Sequence, residues 1–295
     1  TTPYSQGFRK TFRLTNGNQT GGAGVTDYAS IYYYLEGQDI SRSGWDYTSA
    51  SSYITLSYWV KASVAQTYYA RFRAYSSSQY EYSWSMVLSA DTWTKITVSI
   101  PGNSNLANLV STNAMGAFIQ WVPFYGTDYT DSGHTLNSWA VKDNNSAFPD
   151  YTSTWWTTDD STFEITGVKL EVGSSATDYE HKSYGEELAL CRRYYLKWAE
   201  GATDQIGVGF YETASQVTTI IHFPSQMRVA PSLDYVTGTS YYQLGSDVFN
   251  VLQIYSPDQD QLQLYTGALV SGTQGDAGML ITGHASAYVA FDAEL

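Results

Sequence analysis

The chain has 295 residues, room for two domains of roughly 100–200 residues each, and its 43 % hydrophobic content is enough to bury a core. Charged residues make up only 15 % and the net charge is −13, with 10 basic and 16 acidic residues up to position 180 and 5 and 12 after it. Both halves are acidic and neither has a Lys/Arg cluster along the chain, which argues against nucleic-acid partners and anionic membranes.

No apolar run approaches the roughly 18 residues that span a bilayer, so membrane insertion is not expected. No signal peptide opens the sequence, and the lack of an initiator Met points to a start inside a longer or processed polypeptide. Cys191 is the single cysteine, which excludes an intrachain disulfide and a Cys-based metal site. Tyrosine occurs 27 times and tryptophan nine times, an excess of large rigid rings with polar tips that suits a binding surface.

Period-2 alternation runs through the first 175 residues. Ile54, Leu56, Tyr58 and Val60 alternate with Thr55, Ser57 and Trp59. Tyr68, Ala70, Phe72 and Ala74 alternate with Tyr69, Arg71, Arg73 and Tyr75. Ile96, Val98 and Ile100 follow the same rule, as do Val168, Leu170 and Val172. Phe118, Val122 and Phe124 alternate with Ile119, Trp121 and Tyr125. These segments read as antiparallel strands with one buried face, separated by Gly/Asn/Ser/Asp turns.

Ser183-Tyr184-Gly185-Glu186 has the form of a capping box, and 187–196 consists of good helix formers with Leu188, Cys191 and Tyr195 on one stripe. A single helix of about three turns is predicted there. Strands then resume at 206–211, 217–223, 233–236, 248–255, 261–265, 279–282 and 288–291. The predicted organisation is all-β: an N-terminal jelly-roll β-sandwich over 1–180, a connecting helix over 181–200, and a C-terminal β domain over 201–295.

Enzyme signatures are missing: there is no nucleophile elbow, no H-E-x-x-H zinc motif and no phosphate loop. His134, His181, His222 and His284 are scattered, and Asp159-Asp160 reads as a polar turn rather than a glycosidase pair. Asp128, Asp131, Asp143 and Asp150 lie in turn-rich stretches without the spacing of a calcium loop. No catalytic residue, metal ligand or cofactor is assigned. The stronger signal is aromatic. Tyr69, Arg71, Arg73 and Tyr75 put two phenols and two guanidiniums on one strand face, where a sugar can stack on a ring while its hydroxyls bond the cations. Tyr125, Tyr129, Trp139, Trp155 and Trp156 are the further candidate ligand contacts in the loops.

Three stretches, 58–63, 93–98 and 163–173, resemble the jelly-roll carbohydrate-binding modules found in glycanases and in phage virion proteins. The run from Leu170 through Tyr179 and Glu186 to Tyr195 is similar to a junction in tail-fibre and related structural proteins of tailed phages, and 222–231 resembles the opening of their C-terminal domain. The resemblance implies a homotrimeric virion-surface protein that contacts other virion proteins and host-surface polysaccharide, as a tail or capsid fibre that binds a receptor. A purely structural head-fibre, capsid-decoration or tail-assembly protein without a glycan site is the alternative, and a glycan-degrading enzyme is a third. One departure concerns calcium: such modules often carry an Asp in the last strand that holds a structural ion, and Thr166 stands there instead.

Overall fold

The computed structural model describes residues 2–19, 21–267 and 270–294. The chain divides into two compact units, Thr1–Glu180 and His181–Leu295.

The first unit is built from strands β1 (Phe12–Thr15), β2 (Tyr28–Glu36), β3 (Tyr53–Ala62), β4 (Gln66–Tyr75), β5 (Gln79–Leu88), β6 (Thr94–Pro101), β7 (Met115–Tyr125), β8 (Trp139–Val141) and β9 (Thr162–Val172). Two short helices, α1 (Gly37–Ser41) and α2 (Thr154–Thr157), lie between them. The strands pair antiparallel into two sheets, in the orders β1-β9-β3-β6 and β2-β7-β4-β5-β8. The alternation in sequence becomes the two faces of each sheet. Ile54, Leu56, Tyr58 and Val60 of β3 meet Tyr68, Ala70, Phe72 and Ala74 of β4 in one core with Trp84 and Trp121. Inside this core Trp84 Nε1 donates to the Tyr58 hydroxyl at 2.9 Å.

Strict alternation fails at Gly167 in β9, where the register with β3 slips by one residue, and in β7. The β2–β7 register slips between Ala29 and Ile31, so the partners change from Phe124 to Trp121 across a bulge that contains Pro123. Proline has no N–H to give the ladder, which makes a bulge a tolerable place for it. The extra residue reverses the faces. Phe124, predicted on the face of Phe118 and Val122, joins Ile119 and Trp121 in the core, and Tyr125 turns outward beside Val122.

The second unit opens with α3 (Tyr184–Arg192), whose capping box forms as predicted: Ser183 accepts from the Glu186 amide, and the Glu186 carboxylate accepts from the Ser183 amide. The helix is shorter than the predicted three turns. Residues 195–200, which the sequence places in the connecting helix, form strand β10 (Tyr195–Glu200), because Leu196 and Ala199 are drawn into the core opposite Phe291 and Val289.

The remaining strands are β11 (Gln205–Thr213), β12 (Gln216–His222), β13 (Ser232–Tyr235), β14 (Tyr242–Leu244), β15 (Asp247–Phe249), β16 (Gln253–Tyr255), β17 (Gln261–Tyr265), β18 (Ala277–Thr282) and β19 (Tyr288–Asp292). They form sheets β10-β19-β13 and β15-β14-β18-β11-β12-β17-β16 around a core that includes Met227, Leu264, Leu280 and Phe291. The predicted strand 248–255 is two short strands instead. They end on opposite edges of the larger sheet, with Leu252 buried between them. The protein is all-β, with no helix among the described residues long and apolar enough to cross a membrane.

Candidate functional site

The outward face of the β2-β7-β4-β5-β8 sheet gathers the polar groups of the first unit. Cross-strand register sets Tyr34, Phe118, Arg73 and Glu81 in one row, and Tyr32, Gln120, Arg71 and Ser83 in the next. Tyr69, Arg71, Arg73 and Tyr75 therefore share one face, as the alternation in β4 predicts, and the β7 bulge adds Tyr125 to it. Tyr129, in the turn after β7, closes on Tyr125 and Tyr28 with ring centroids 5.2 and 5.9 Å apart.

The two guanidiniums are buried and converge on one carboxylate. Glu81 Oε2 accepts from Arg71 Nη1 at 3.0 Å and from Arg73 Nε and Nη2 at 3.1 and 2.9 Å. Arg71 Nε donates to Gln120 Oε1 at 2.7 Å, and Gln120 Nε2 donates to the hydroxyls of Tyr32 and Tyr125, both at 2.7 Å. The cluster carries two cations for one anion. Burial, with Arg73 next to it, lowers the Arg71 pKa from its ordinary value. Buried ion clusters of this kind persist only when hydrogen bonds replace the lost water, and this one is nearly complete except at Glu81 Oε1, which has no partner.

Part of the face is roofed by the segment 126–151. Phe148 lies over Tyr69, with centroids 6.0 Å apart, and over the Arg71 guanidinium at 5.2 Å. His134 pins the segment by pairing Nε2 with Ser83 Oγ at 2.7 Å and Nδ1 with the Ser146 carbonyl at 2.8 Å. Tyr151 donates to the Val122 carbonyl. Burial pushes the Tyr125 phenol up to about 12 and raises those of Tyr69 and Tyr75 from their ordinary value.

What remains open is the end of the face at β2. Tyr32 and Tyr34 stack with centroids 5.7 Å apart and planes 9° from parallel, and both stand edge-on to Phe118. They are 40 % and 41 % exposed, and Phe118, which half-buried Tyr75 also meets at 6.2 Å, lies between Tyr34 and Arg73 in the cross-strand row. These two tyrosines were not among the residues predicted from sequence. The signal was present in Ile31-Tyr32-Tyr33-Tyr34-Leu35, but a triple tyrosine hides which rings share a face.

Three predicted contacts lie elsewhere. Trp155 is fully buried in the core with Nε1 bonded to the Thr162 carbonyl, so it presents no surface to a ligand. Trp156 stacks on Phe124, and its Nε1 reaches the Gly22 carbonyl. Trp139 closes the core against Phe72 and Tyr82, its Nε1 bonded to the Pro101 carbonyl. Each indole spends its single donor on a backbone carbonyl, as a ring that plugs the end of a sandwich does.

The acidic turns hold themselves together: Asp131 accepts from the Gly133 amide, Asp143 from the Asn145 amide, and Asp150 from Thr130 Oγ1. Among the described residues no three His, Cys, Asp or Glu side chains come close enough to share a metal ion. Thr166, the position where a calcium-holding Asp would stand, donates Oγ1 to the Lys10 carbonyl at 2.8 Å.

No family model matches the chain, and no curated protein matches it. Among solved structures, the chain is similar to one named Family 16 Carbohydrate Binding Module-2, at 13 % identity, with 56 % of this chain and 77 % of that one covered and a TM-score of 0.27.

Proposed function

We propose that this chain is a non-catalytic phage virion protein, a fibre or receptor-binding component, whose first unit takes a host-surface glycan on the open end of the β2-β7-β4-β5-β8 sheet. The observation that carries the glycan reading is the exposed Tyr32–Tyr34 stack beside Phe118, linked through Gln120 to the buried Arg71–Arg73–Glu81 cluster. A sugar's C–H face lies on an aromatic ring, and its hydroxyls pair with the exposed phenols at the ring's edge. The partners in this reading are host polysaccharide, other virion proteins and further copies of the chain, and it acts at the virion surface. What supports the virion part is the resemblance of the stretch from Leu170 to Tyr195 to phage fibre junctions.

The test is calorimetric titration of the protein with host polysaccharide fragments. The expected result is saturable binding that falls about five- to thirtyfold in Tyr32→Ala and Tyr34→Ala, the loss of one stacked ring being worth about 1–2 kcal/mol. Binding by both variants as tight as by the wild type would overturn the site. No binding by the wild-type protein would favour the structural alternative, a head-fibre or decoration protein. The roof of Phe148 over Tyr69 and Arg71 speaks for that second reading, since it covers two of the nine predicted sugar contacts.

A further inference from the structure

The opposite sheet of the first unit carries a second, chemically different feature. Residues 2–11 run across the outward face of β1-β9-β3-β6 and are tied to it at three places. Trp59 Nε1 donates to Gln6 Oε1 at 2.8 Å, Thr166 Oγ1 donates to the Lys10 carbonyl, and Thr11 Oγ1 donates to the Ile165 carbonyl at 2.9 Å. The Phe8 ring seats on Gly167, where β9 bulges with φ +63° and where a Cβ would come within 2.6 Å of the ring. Between segment and sheet is an open cavity of about 320 Å³, lined among others by Pro3, Tyr4, Phe8, Trp93, Arg9 and Lys10.

Charge is segregated on this face. Arg13 and Lys61 share Glu164 at 3.2 and 3.1 Å, again two cations for one carboxylate, and the Lys61 ammonium lies 5.2 Å over the Trp93 ring. Lys95 stands opposite Trp59, and Lys169 pairs with Glu171. With Arg9 and Lys10 the segment and strand rows present six cations against two carboxylates, or four when Asp178 and Glu180 beside Tyr179 are counted, in a chain of net charge −13. Arg9 is held by Nη1 alone, bonded to the Tyr4 and Phe8 carbonyls, and covers one face of Tyr4 at 4.1 Å. Tyr4 is nonetheless 70 % exposed.

We propose that this cavity is a second saccharide site, separate from the Tyr32–Tyr34 face, and that it takes one acidic sugar residue, a pyranose bearing a carboxylate. The aromatic walls suit a sugar ring, and the volume, at the lower end of the ~300–1,000 Å³ usual for small ligands, suits one ring rather than a chain. Arg9 and Lys10 in its lining supply the complement to the carboxylate. A nucleic acid would extend its phosphates past this patch onto the acidic remainder of the molecule, where repulsion opposes binding.

The experiment titrates the intact protein with oligomers of galacturonic acid, with the matching neutral galactose oligomers and with oligodeoxythymidine, for the wild type and for Arg9→Gln/Lys10→Gln, Tyr4→Ala and Tyr32→Ala. The expected result is binding of the uronate oligomer that weakens with salt and falls at least tenfold in the first two variants, while Tyr32→Ala leaves it unchanged. Loss in Tyr32→Ala alone would assign the uronate to the other sheet and overturn this site. Equal affinity for oligodeoxythymidine would overturn the saccharide specificity, and no uronate binding by the wild type would overturn the proposal whether or not the neutral oligomers bind. A far-ultraviolet spectrum and melting curve matching the wild type establish that each variant is folded.

Discussion

Arg73 stands directly opposite Glu81 in the β4–β5 register and donates two hydrogen bonds to Oε2, while Oε1 of the same buried carboxylate accepts none. The carboxylate therefore holds two guanidiniums with one oxygen. Removing its charge leaves Arg71 and Arg73 facing each other in a site closed to water. Glu81→Gln is expected to lower stability by about 3–5 kcal/mol, the usual cost of breaking a buried ion pair by one partner. Chemical denaturation of the variant measures it, and a loss below about 1 kcal/mol would mean that the arginines find water instead.

Trp155 separates core from site. Its ring is fully buried and its only donor is used by the Thr162 carbonyl, so Trp155→Ala should cost about 3–5 kcal/mol through the cavity it opens. Glycan affinity measured at a temperature where the variant is still folded should equal that of the wild type. A selective loss of affinity with unchanged stability would return Trp155 to the binding site.

The strands of the sandwich were legible because period-2 alternation reports burial directly, and β4 presents Tyr69, Arg71, Arg73 and Tyr75 together as read. What the alternation could not carry was the bulge at Pro123, which exchanges the faces of Phe124 and Tyr125 and is set by pairing with β2 rather than by local residues. The extended fate of 195–200 was equally hidden, since Leu196 is a good helix former whose partner, Phe291, is 95 residues away. The roof over Tyr69 depends on Phe148, distant in the chain. The basic face was invisible for the same reason: Arg9, Lys10, Arg13, Lys61, Lys95 and Lys169 form no run in the sequence, and only sheet order brings them together.

Alkaline pH should find a weakness spread over both units. Burial pushes Tyr125 up to about 12, burial followed by its hydrogen bond to Asp234 does the same to Tyr195, and the bond to Asp247 followed by burial does so for Tyr211. Each folded pKa lies above the ordinary value of 10.0, so the fold favours the protonated phenol. The contribution is complete below pH 10 and is lost as pH rises from 10 to about 12. Melting temperature should be flat on the alkaline side up to pH 10 and fall steeply beyond it, with tyrosinate absorbance rising late. Ionisation of all 27 tyrosines near pH 10 in the native protein would contradict this.

The larger sheet of the second unit has an open apolar face. Val208 stands opposite Met279, and the Phe210–Thr218 pairing continued by two residues sets Ile220 on the other side of Val208. All three are exposed, at 64, 45 and 58 %, and the next partners in the row, Gln263 and Tyr255, carry no charge. In a unit with 5 basic and 12 acidic residues, such a face is where copies can meet without like-charge repulsion. If the chain forms the homotrimer proposed, its solution mass should be near three times 32.8 kDa, and Ile220→Lys should reduce it to that of one chain. A wild-type monomer would count against the fibre reading.

Gly167 is the position on which the N-terminal segment depends. Its φ of +63° is one that side chains rarely adopt, and an added Cβ would meet the Phe8 ring at 2.6 Å. Gly167→Ala must therefore either strain the bulge or lift Phe8 from the sheet, at a cost of about 1–3 kcal/mol. Lifting Phe8 would also loosen the Trp59–Gln6 bond two residues before it and expose the amides of 2–11 to exchange. Hydrogen exchange should show faster labelling confined to that segment and β9, with β4 and β5 protected as in the wild type. Because the cavity beside Trp93 exists only while the segment is seated, uronate binding should fall with it, and binding at the Tyr32–Tyr34 face should not.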